Sequence, residues 1–248
     1  MTTARPHEPD YENQLLVDVV YEKSRRVTPE MLESFPSNAS ARRAVALARE
    51  TLGSPGARVR VLDFGGACGL HHRMARETGI ATAWAVVETP AMVRKASSGS
   101  SDPGLRYFDT IEAARRWLGG IDCVYSSSAL QYVPDAQDTV ARLLALEAPV
   151  VAWARLNLTE GATHRFEQVS RLADNGPGPL PPGFEDCEIR YPCTQLAERE
   201  FLSWHTGYEM VEHLGPLDNA TYYFRRRPEQ RVAGFRLWPF GRRSAGTR

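Results

Sequence analysis

Hydrophobic positions follow two different periods along the chain. In residues 10–25 and 37–53, apolar side chains recur at helical spacing, which predicts two amphipathic helices. From residue 58 to residue 155, short apolar runs instead alternate with helix-compatible segments. The runs predict strands at 58–64, 82–88, 105–108, 121–128 and 148–155. Strands that alternate with helices in this way favour βαβ units and a parallel, doubly wound sheet.

This alternation of strands and helices is interrupted after residue 155 and then resumes. Residues 156–193 contain the segment NGPGPLPPG, which cannot form regular structure, and we expect an insertion that covers a site. A helix is predicted at 194–207, followed by two strands that only the short segment GPLDN separates. Because that segment is too short for a crossover helix, the two strands must form an antiparallel hairpin. The predicted fold class is α/β, with a doubly wound, seven-stranded, mostly parallel sheet and a C-terminal antiparallel hairpin strand.

Three parts of the chain follow from these patterns. Residues 1–54 form an N-terminal helical cap, either a lid over a ligand or a helix that only packs on the sheet. Residues 55–226 form the α/β domain with its insertion at about 156–193. Residues 227–248 form a basic tail, since eight arginines and one acid follow from Arg225 onward. A flexible, solvated tail is the simpler interpretation, and contact with an anionic surface is the alternative.

Composition narrows the partners and the cellular location. The 248 residues carry 30 basic and 30 acidic side chains, so no overall field favours nucleic acid or a stable association with membranes. The N-terminus has no apolar signal region and no run is long enough to span a bilayer, which predicts a cytoplasmic protein. The four cysteines lack metal-finger spacing, and no metal site is predicted. A homodimer is left open.

The segment VLDFGGACGLHH, residues 61–72, places a glycine cluster between a strand and a helix. Such a turn lets a ligand approach the backbone, and the helix start offers free N–H groups. The dinucleotide pattern G-x-G-x-x-G, started at Gly65, requires glycine at the positions of Ala67 and Leu70. The NAD interpretation therefore matches one glycine in three.

The same segment resembles the first motif of class I S-adenosylmethionine (SAM) methyltransferases, an acid followed by glycines at every second position. Asp63, Gly65 and Gly69 match that motif, and Ala67 replaces its middle glycine. The terminal hairpin and the segment IDCVYSSSALQYV also resemble this superfamily. The order of LDFGGACG, VVETPAMV, SSALQYVPD and EFLSWHTGYEMVE is similar to that in a largely uncharacterised group of bacterial methyltransferases, linked with polysaccharide or secondary-metabolite biosynthesis.

This resemblance implies a SAM-dependent, Rossmann-like methyltransferase domain over residues 55–226. The acceptor would be an oxygen or nitrogen of a small molecule or glycan precursor. Glu88 is expected to accept both ribose hydroxyls, and Asp109 either lies near the adenine or caps a helix through the pattern DTIE. The expected cofactor-binding residues are Asp63, Gly65, Gly66, Ala67, Gly69, Glu88, Asp109 and Ser127. An NAD(P)-dependent oxidoreductase and a non-catalytic nucleoside-binding partner protein are the alternatives.

No catalytic residue is assigned by the sequence, because methyl transfer from a sulfonium depends mainly on alignment. His72 and Tyr132 are the candidates for a base, with capping and packing as their structural alternatives. Many related enzymes carry histidine at the position of Tyr132. Candidates for binding the acceptor are Arg155, His164 and Gln168, which follow the fifth predicted strand or lie in the insertion. A surface ion pair or an ordinary polar loop would explain these three residues equally well.

Overall fold

The computed structural model describes residues 12–228. The helices are α1 (Gln14–Arg25), α2 (Pro29–Glu33), α3 (Asn38–Leu52), α4 (Leu70–Arg76), α5 (Pro90–Ser98), α6 (Ile111–Leu118), α7 (Ala136–Leu144) and α8 (Glu198–Ser203). The strands are β1 (Val59–Phe64), β2 (Thr82–Val87), β3 (Leu105–Phe108), β4 (Cys123–Ser127), β5 (Val150–Leu156), β6 (Leu158–Thr159), β7 (His164–Arg171), β8 (Glu188–Ala197), β9 (Tyr208–Leu214) and β10 (Ala220–Arg226). Apart from its first two residues, the basic tail predicted for 227–248 lies outside the described range.

Seven of these strands form the central sheet, in the order β3-β2-β1-β4-β5-β10-β9. The five strands from β1 to β5 pair in parallel, whereas β10 pairs antiparallel with both β5 and β9. The predicted hairpin and fold class are therefore confirmed. The strand order reverses between β1 and β4, and open α/β sheets bind ligands outside the carboxyl ends of the strands at such a reversal.

Both faces of this sheet are covered, because the sequence makes its inner strands apolar on both sides. All six residues of β2 are buried. Trp84 on β2 and Trp153 on β5 have no exposed surface, and each belongs to the core on a different face. Helices α3 and α4 cover one face, while α6, α7 and α8 cover the other. Parallel strands buried in this manner read as continuous apolar runs, as they do here.

The region after β5 contains more regular structure than the sequence indicated. Strands β6, β8 and β7 form a second, three-stranded sheet in that order. The Pro- and Gly-rich segment 175–183 has neither helix nor strand, as expected. The helix predicted at 194–207 is wrong in its first part, because residues 194–197 complete β8 and only Glu198–Ser203 is helical. Alternating burial along Glu188–Cys193 carries β8 into this segment, and pairing with β7 and β6 prevails over helical propensity.

The first N-terminal helix, α1, lies against the turn that follows β1. The two predicted amphipathic helices correspond to α1 and α3, while α2, which begins with Thr28 as cap and Pro29 at its first position, was not predicted. Residues of α1, α5 and β8 form a separate apolar cluster, and Ala67 and Cys68 pack against it. No helix within residues 12–228 is long and apolar enough to cross a membrane.

Candidate active site

The turn after β1 alternates between ordinary and left-handed backbone. Gly65, Ala67 and Gly69 have φ angles of +72°, +46° and +74°. A Cβ atom at Gly65 would lie 2.3 Å from the Cβ atom of Ala129, and one at Gly69 would lie 2.7 Å from a methyl group of Leu105. Glycine is thus required at both positions, whereas Ala67 holds a left-handed backbone at a cost of about 1–2 kcal/mol. The spacing of every second residue in the sequence follows from this backbone.

The Asp63 side chain packs against the glycine turn at Gly66. Its side chain is fully buried, and a Cβ atom at Gly66 would lie only 2.3 Å from its Oδ2 atom. The indole of Trp84 donates to Asp63 Oδ2 at 2.9 Å, and His71 Nδ1 lies 3.0 Å from the same oxygen. With the carboxylate held from two sides, Gly66 can lie directly over it. Asp63 is consequently placed to fix the turn, and its side chain does not line the cleft described below.

Glu88 stands at the end of β2, beside this turn. Its Oε1 atom accepts from the backbone N–H of Ala67 at 3.0 Å, and its Oε2 atom accepts from that of Thr89 at 2.9 Å. Burial raises the pKa of this carboxyl above its ordinary value, although the two N–H donors oppose the shift. The side chain is half-buried and lines the cleft. It is therefore an acceptor group fixed by the turn that the glycines form.

A cleft of about 470 Å³ opens at the carboxyl ends of β1, β2 and β4. Its charged lining, among the described residues, consists of the carboxylates of Glu12, Glu88 and Asp109 and the guanidinium of Arg165. The volume lies within the range of small-molecule sites, about 300–1,000 Å³. With three carboxylates against one cation, the cleft favours a positively charged ligand.

Asp109 belongs to this cleft and does not cap a helix. The hydroxyl of Thr110, one residue later, accepts from the backbone N–H of Ala113 and is the N-cap of α6. Asp109 is exposed and lines the cleft beyond the end of β3. Of the two interpretations of DTIE, the capping role for Asp109 is thus wrong.

The second sheet and the segment after β4 form one wall of the cleft. Tyr132 and Tyr191 line it, and their rings meet edge to face with centroids 5.4 Å apart. The Tyr132 hydroxyl donates to Oε1 of Gln168 at 3.4 Å, and Nε2 of Gln168 donates to the Tyr191 hydroxyl at 3.4 Å. Burial raises the pKa of Tyr132, so its phenol is neutral at physiological pH and acts as a donor. Gln168 therefore holds two aromatic residues in place from β7.

The two histidines of the glycine segment lie outside the cleft lining. His71 contacts Asp63, and its ring lies edge-on to Tyr125 at 5.0 Å. His72 is 2% exposed, its ring lies 5.8 Å from Trp84, and burial lowers its pKa. It faces a separate cavity between α4 and β3. The structure thus removes His72 as a candidate base, because helix α4 turns it away from the carboxyl edge of the sheet.

The serine that meets the cleft is Ser128, whereas Ser127 was predicted from the sequence. The Ser127 hydroxyl is buried and lies 2.8 Å from the hydroxyl of Ser37, which precedes α3. Ser128 follows β4, has a φ angle of +55° and lines the cleft. Because successive side chains of a strand alternate between its faces, a shift of one residue decides which serine is available.

None of the three predicted acceptor-binding residues lines the cleft itself. Arg155 has a φ angle of +54° at the irregular pairing between β5 and β10. His164 is exposed at the start of β7, and its ring lies 5.9 Å from Phe166. Gln168 reaches the cleft only through its contacts with Tyr132 and Tyr191. Arg165, one residue after His164, lines the cleft instead.

Several cleft residues were not among those predicted from the sequence. Arg165 and Tyr191 lie in the insertion, and only the pairing of β7 with β8 brings them to the cleft. Glu12 precedes α1 and is distant in sequence from every other cleft residue. The alternation of polar and apolar residues in EIRYPC, residues 188–193, was the available signal for β8, and with it for Tyr191.

The comparisons with known proteins bear on the fold. No protein-family model matches the chain, and no curated protein matches its sequence. Among solved structures, the chain is similar to the sugar N-methyltransferase KedS8 from Streptoalloteichus sp ATCC 53650, with 17% identity and a TM-score of 0.57 over 92% of this chain and 98% of that one. It is also similar to the CcbJ methyltransferase from Streptomyces caelestis, with 14% identity and a TM-score of 0.56 over 90% of this chain and 100% of that one.

A third solved structure gives the same picture. CalS10, an amino pentose methyltransferase from Micromonospora echinaspora involved in calicheamicin biosynthesis, has 16% identity and a TM-score of 0.53 over 84% of this chain and 97% of its own. At these identities the likeness concerns the fold, which agrees with the strand order β3-β2-β1-β4-β5-β10-β9. The fold expected from the sequence resemblance is thereby confirmed, and the chain has the Rossmann-like fold of class I methyltransferases.

Proposed function

We propose that this protein is a SAM-dependent methyltransferase that moves a methyl group to a nitrogen or oxygen of a small molecule or glycan precursor. The observation that carries the proposal is the charge of the cleft beside the glycine turn. Glu12, Glu88 and Asp109 surround the space at the ends of β2 and β3, where a nucleoside would lie. SAM brings a positively charged sulfonium and two ribose hydroxyls, which suit carboxylate acceptors.

The charged residues that line the cleft also disfavour an NAD(P)-dependent oxidoreductase. A dinucleotide would place its pyrophosphate at the start of the helix after β1. Cys68 and Leu70, at the start of α4, line the separate cavity and not the cleft. The carboxylates that do line the cleft would repel phosphate groups. The cleft therefore fits a ligand with a nucleoside and a positive charge better than one with a diphosphate.

Four residues of the cleft lining, together with Ala67 in the adjoining turn, have roles in this proposal. SAM supplies an activated methyl group on sulfur, and its departure leaves a neutral thioether. Glu88 accepts from the ribose hydroxyls, while Asp109 lies at the end of β3 beside the nucleoside. Ala67 and Gly65 let the backbone curve around the ligand. Tyr132, whose single hydroxyl proton goes to Gln168, helps to orient the acceptor by accepting from its amine.

The lining also favours a nitrogen over an oxygen as the methylated atom. No described histidine lines the cleft, and the phenol of Tyr132 holds its proton too firmly to act as a base. A neutral amine already has the lone pair that attacks the methyl group, and a neighbouring carboxylate can take up the proton afterwards. The sugar N-methyltransferase and the amino pentose methyltransferase that share this fold support an amino sugar as the acceptor class.

Two measurements test this function. Calorimetric titrations with SAM, S-adenosylhomocysteine (SAH) and NAD should show binding of the first two only. Incubation with SAM and a panel of amino sugars, alongside the corresponding hydroxyl sugars, should release SAH with an amine and not with its hydroxyl counterpart. Binding of NAD without binding of SAH would overturn the assignment. Binding of SAM with no turnover on any acceptor would favour a non-catalytic nucleoside-binding protein instead.

A further inference from the structure

A second cavity of about 330 Å³ lies apart from the candidate active site. It opens between the end of α1, helix α4, the loop after α5 and strand β3, and its volume suits a small molecule. Glu12, just before α1, lines the cleft, whereas Arg25, the last residue of this helix, lines the cavity. A helix of 12 residues is about 18 Å long, and within residues 12–228 the two linings share no residue. The cavity is therefore a separate site.

The charged lining of this cavity is mainly cationic. Among the described residues it consists of the guanidinium groups of Arg25, Arg73 and Arg76 and the carboxylate of Asp102. Three positive charges against one negative charge leave two positive charges, the reverse of the cleft, where carboxylates dominate. Asp102 already pairs with Arg76, whose Nη1 atom lies 2.8 Å from its Oδ2 atom. The cavity therefore favours an anion, which would neutralise Arg25 and Arg73.

These two remaining arginines are available to such an anion. Arg73 donates to the carbonyl oxygens of Ser24 and Val27 at 3.3 Å and 2.9 Å, and forms no ion pair within residues 12–228. Its two bonds occupy carbonyl groups at the end of α1 that would otherwise repel an anion. Arg25 lies 3.7 Å from Glu22 on the same helix, and its side chain is 63% exposed. Because solvent screens that pair, the guanidinium can turn to a ligand.

The most buried polar side chain of the cavity lining is His72. It is 2% exposed, and its Nδ1 atom lies 3.8 Å from Oδ2 of Asp102, which is beyond hydrogen-bond distance. Its ring forms no hydrogen bond within the part of the chain that the structure describes. Burial lowers the pKa of His72, so the ring is neutral at physiological pH and carries one N–H donor. Since buried polar groups are normally hydrogen-bonded, this imidazole indicates an acceptor that a ligand supplies.

We propose that this cavity binds the phosphate group of a small phosphate monoester, with Arg25, Arg73 and His72 as donors. A phosphate monoester carries a charge of about −1.5 to −2 at pH 7, which matches the two uncompensated positive charges. Guanidinium groups bind phosphate oxygens through paired N–H donors. The apolar part of the lining, which includes Leu70 and Leu105, would hold the body of the ester. This binding does not depend on the proposed methyl transfer, because it takes place in a different cavity.

Three aromatic probes of similar size and different charge test the charge of the ligand. At pH 7.5 phenyl phosphate is mainly a dianion, benzoate is a monoanion and phenol is neutral. Calorimetry on the wild type should show saturable binding of phenyl phosphate at one site, at least about tenfold weaker binding of benzoate and no detectable binding of phenol. Absence of phenyl phosphate binding, or equal affinities for phenyl phosphate and benzoate, would overturn the proposal.

Two neighbouring arginines provide a variant and its control. Arg25→Gln removes a guanidinium from the cavity, whereas Arg26→Gln makes the same change one residue later, where the side chain is 51% exposed and also pairs with Glu22 but does not line the cavity. Arg25→Gln should weaken phenyl phosphate binding by about 2- to 5-fold, as expected for an exposed charge pair, and Arg26→Gln should leave it unchanged. Asp102→Asn removes the carboxylate and keeps the oxygen that accepts from the N–H of Gly104, so it should strengthen binding by a similar factor.

The buried donor is tested separately. His72→Phe keeps a planar ring beside Trp84 and removes both ring nitrogens, so it should weaken phenyl phosphate binding by about 2- to 10-fold, the worth of one neutral hydrogen bond. Thermal unfolding of this variant and of Arg25→Gln checks that the fold is retained. Wild-type affinity in a folded His72→Phe variant would overturn the assignment of His72 as a donor.

A last variant locates the bound phosphate. Arg165 is the cation of the cleft lining among the described residues, so a phosphate in the cleft would depend on it. Arg165→Gln should therefore leave phenyl phosphate binding unchanged. Weaker binding in Arg165→Gln, equal losses in Arg25→Gln and Arg26→Gln, or weaker binding in Asp102→Asn would each overturn this second site. None of these results would affect the methyltransferase assignment, which SAH binding and turnover decide.

Discussion

Replacing Glu88 by glutamine tests the charged acceptor at the centre of the cleft. The carboxylate accepts from Ala67 and Thr89 through separate oxygens, so both oxygens are already oriented by the backbone. Glutamine has one acceptor oxygen, and its NH₂ group would face one of these N–H donors. The variant therefore loses the charge and one of two well-placed acceptors. Losing one hydrogen bond to a charged group costs about 1.5–3 kcal/mol, which corresponds to about 10- to 100-fold weaker SAH binding.

The pH dependence gives a second, independent readout. Burial raises the pKa of Glu88, and only the ionised form can accept from both ribose hydroxyls. Binding therefore favours the ionised carboxylate, so SAH affinity should be constant at high pH and should fall as pH is lowered through the raised pKa. Calorimetric titrations of the wild type between about pH 8 and about pH 5 measure this fall, which begins above the ordinary glutamate value. In Glu88→Gln the fall should be absent.

A control variant makes the same Glu-to-Gln substitution at a position outside the cleft. Glu112→Gln makes the same change on α6, where the side chain is 63% exposed and, among residues 12–228, forms its ion pair with Arg142 across the surface. It should bind SAH as the wild type does at every pH. If Glu88→Gln bound SAH with wild-type affinity, or if its pH profile still followed that of the wild type, the placement of the ribose at Glu88 would be refuted.

Three further predictions concern the turn, the aromatic wall and the core. Gly65→Ala should abolish SAH binding in calorimetry, because its Cβ atom would lie 2.3 Å from the Cβ atom of Ala129. The control is Gly79→Ala, since Gly79 has a nearly equal φ angle of +71° and a Cβ atom there would have no neighbour within 4 Å. This variant should lose stability but still bind SAH. Tyr132→Phe should leave the Kd for SAH unchanged and lower kcat/KM for the acceptor by about 2- to 10-fold, the worth of one neutral hydrogen bond, in steady-state assays. Burial lowers the pKa of His205 from 6.5 to about 4. Between these two values the unfolded chain binds a proton at His205 that the folded protein does not bind. The free energy of unfolding should therefore fall by about 2 kcal/mol between about pH 7 and about pH 5. Urea unfolding of the wild type and His205→Gln at both pH values checks this, since the variant should lose most of that slope.

The parallel part of the fold could be predicted because its signals are local. Each strand from β1 to β5 is a short apolar run, and glycine ends α3 and α6 as the sequence indicated. The hairpin followed from the length of one loop. The second sheet could not be predicted in the same way, because β7 is exposed along almost its whole length and acquires strand geometry only by pairing with β8. A strand without an apolar face carries no periodic signal.

The residues of the candidate site also divide into those that the sequence could predict and those that it could not. Glu88 and the glycine turn are adjacent to strand ends in the sequence, so their meeting at one edge of the sheet follows from parallel topology. The choice between Ser127 and Ser128 depends on the side to which each side chain points after β4, which three consecutive serines do not reveal. Arg165 depends on the pairing register of the second sheet. These residues needed three-dimensional information, because nothing in their local sequence distinguishes them from loop positions.

Backbone strain within residues 12–228 is concentrated at the carboxyl edge of the central sheet. Four residues other than glycine have left-handed backbone, and Ala67, Ser128 and Arg155 follow or end β1, β4 and β5 at the same edge of the sheet. At about 1–2 kcal/mol each, they together cost a substantial part of the stability of a typical domain, about 5–15 kcal/mol. The fold offsets this cost through its two covered faces, and Ser128 is the one of these three residues that lines the cleft. The alanine in the glycine motif thus belongs to a group of three strained residues, and at this middle position the motif requires the left-handed backbone and not glycine itself.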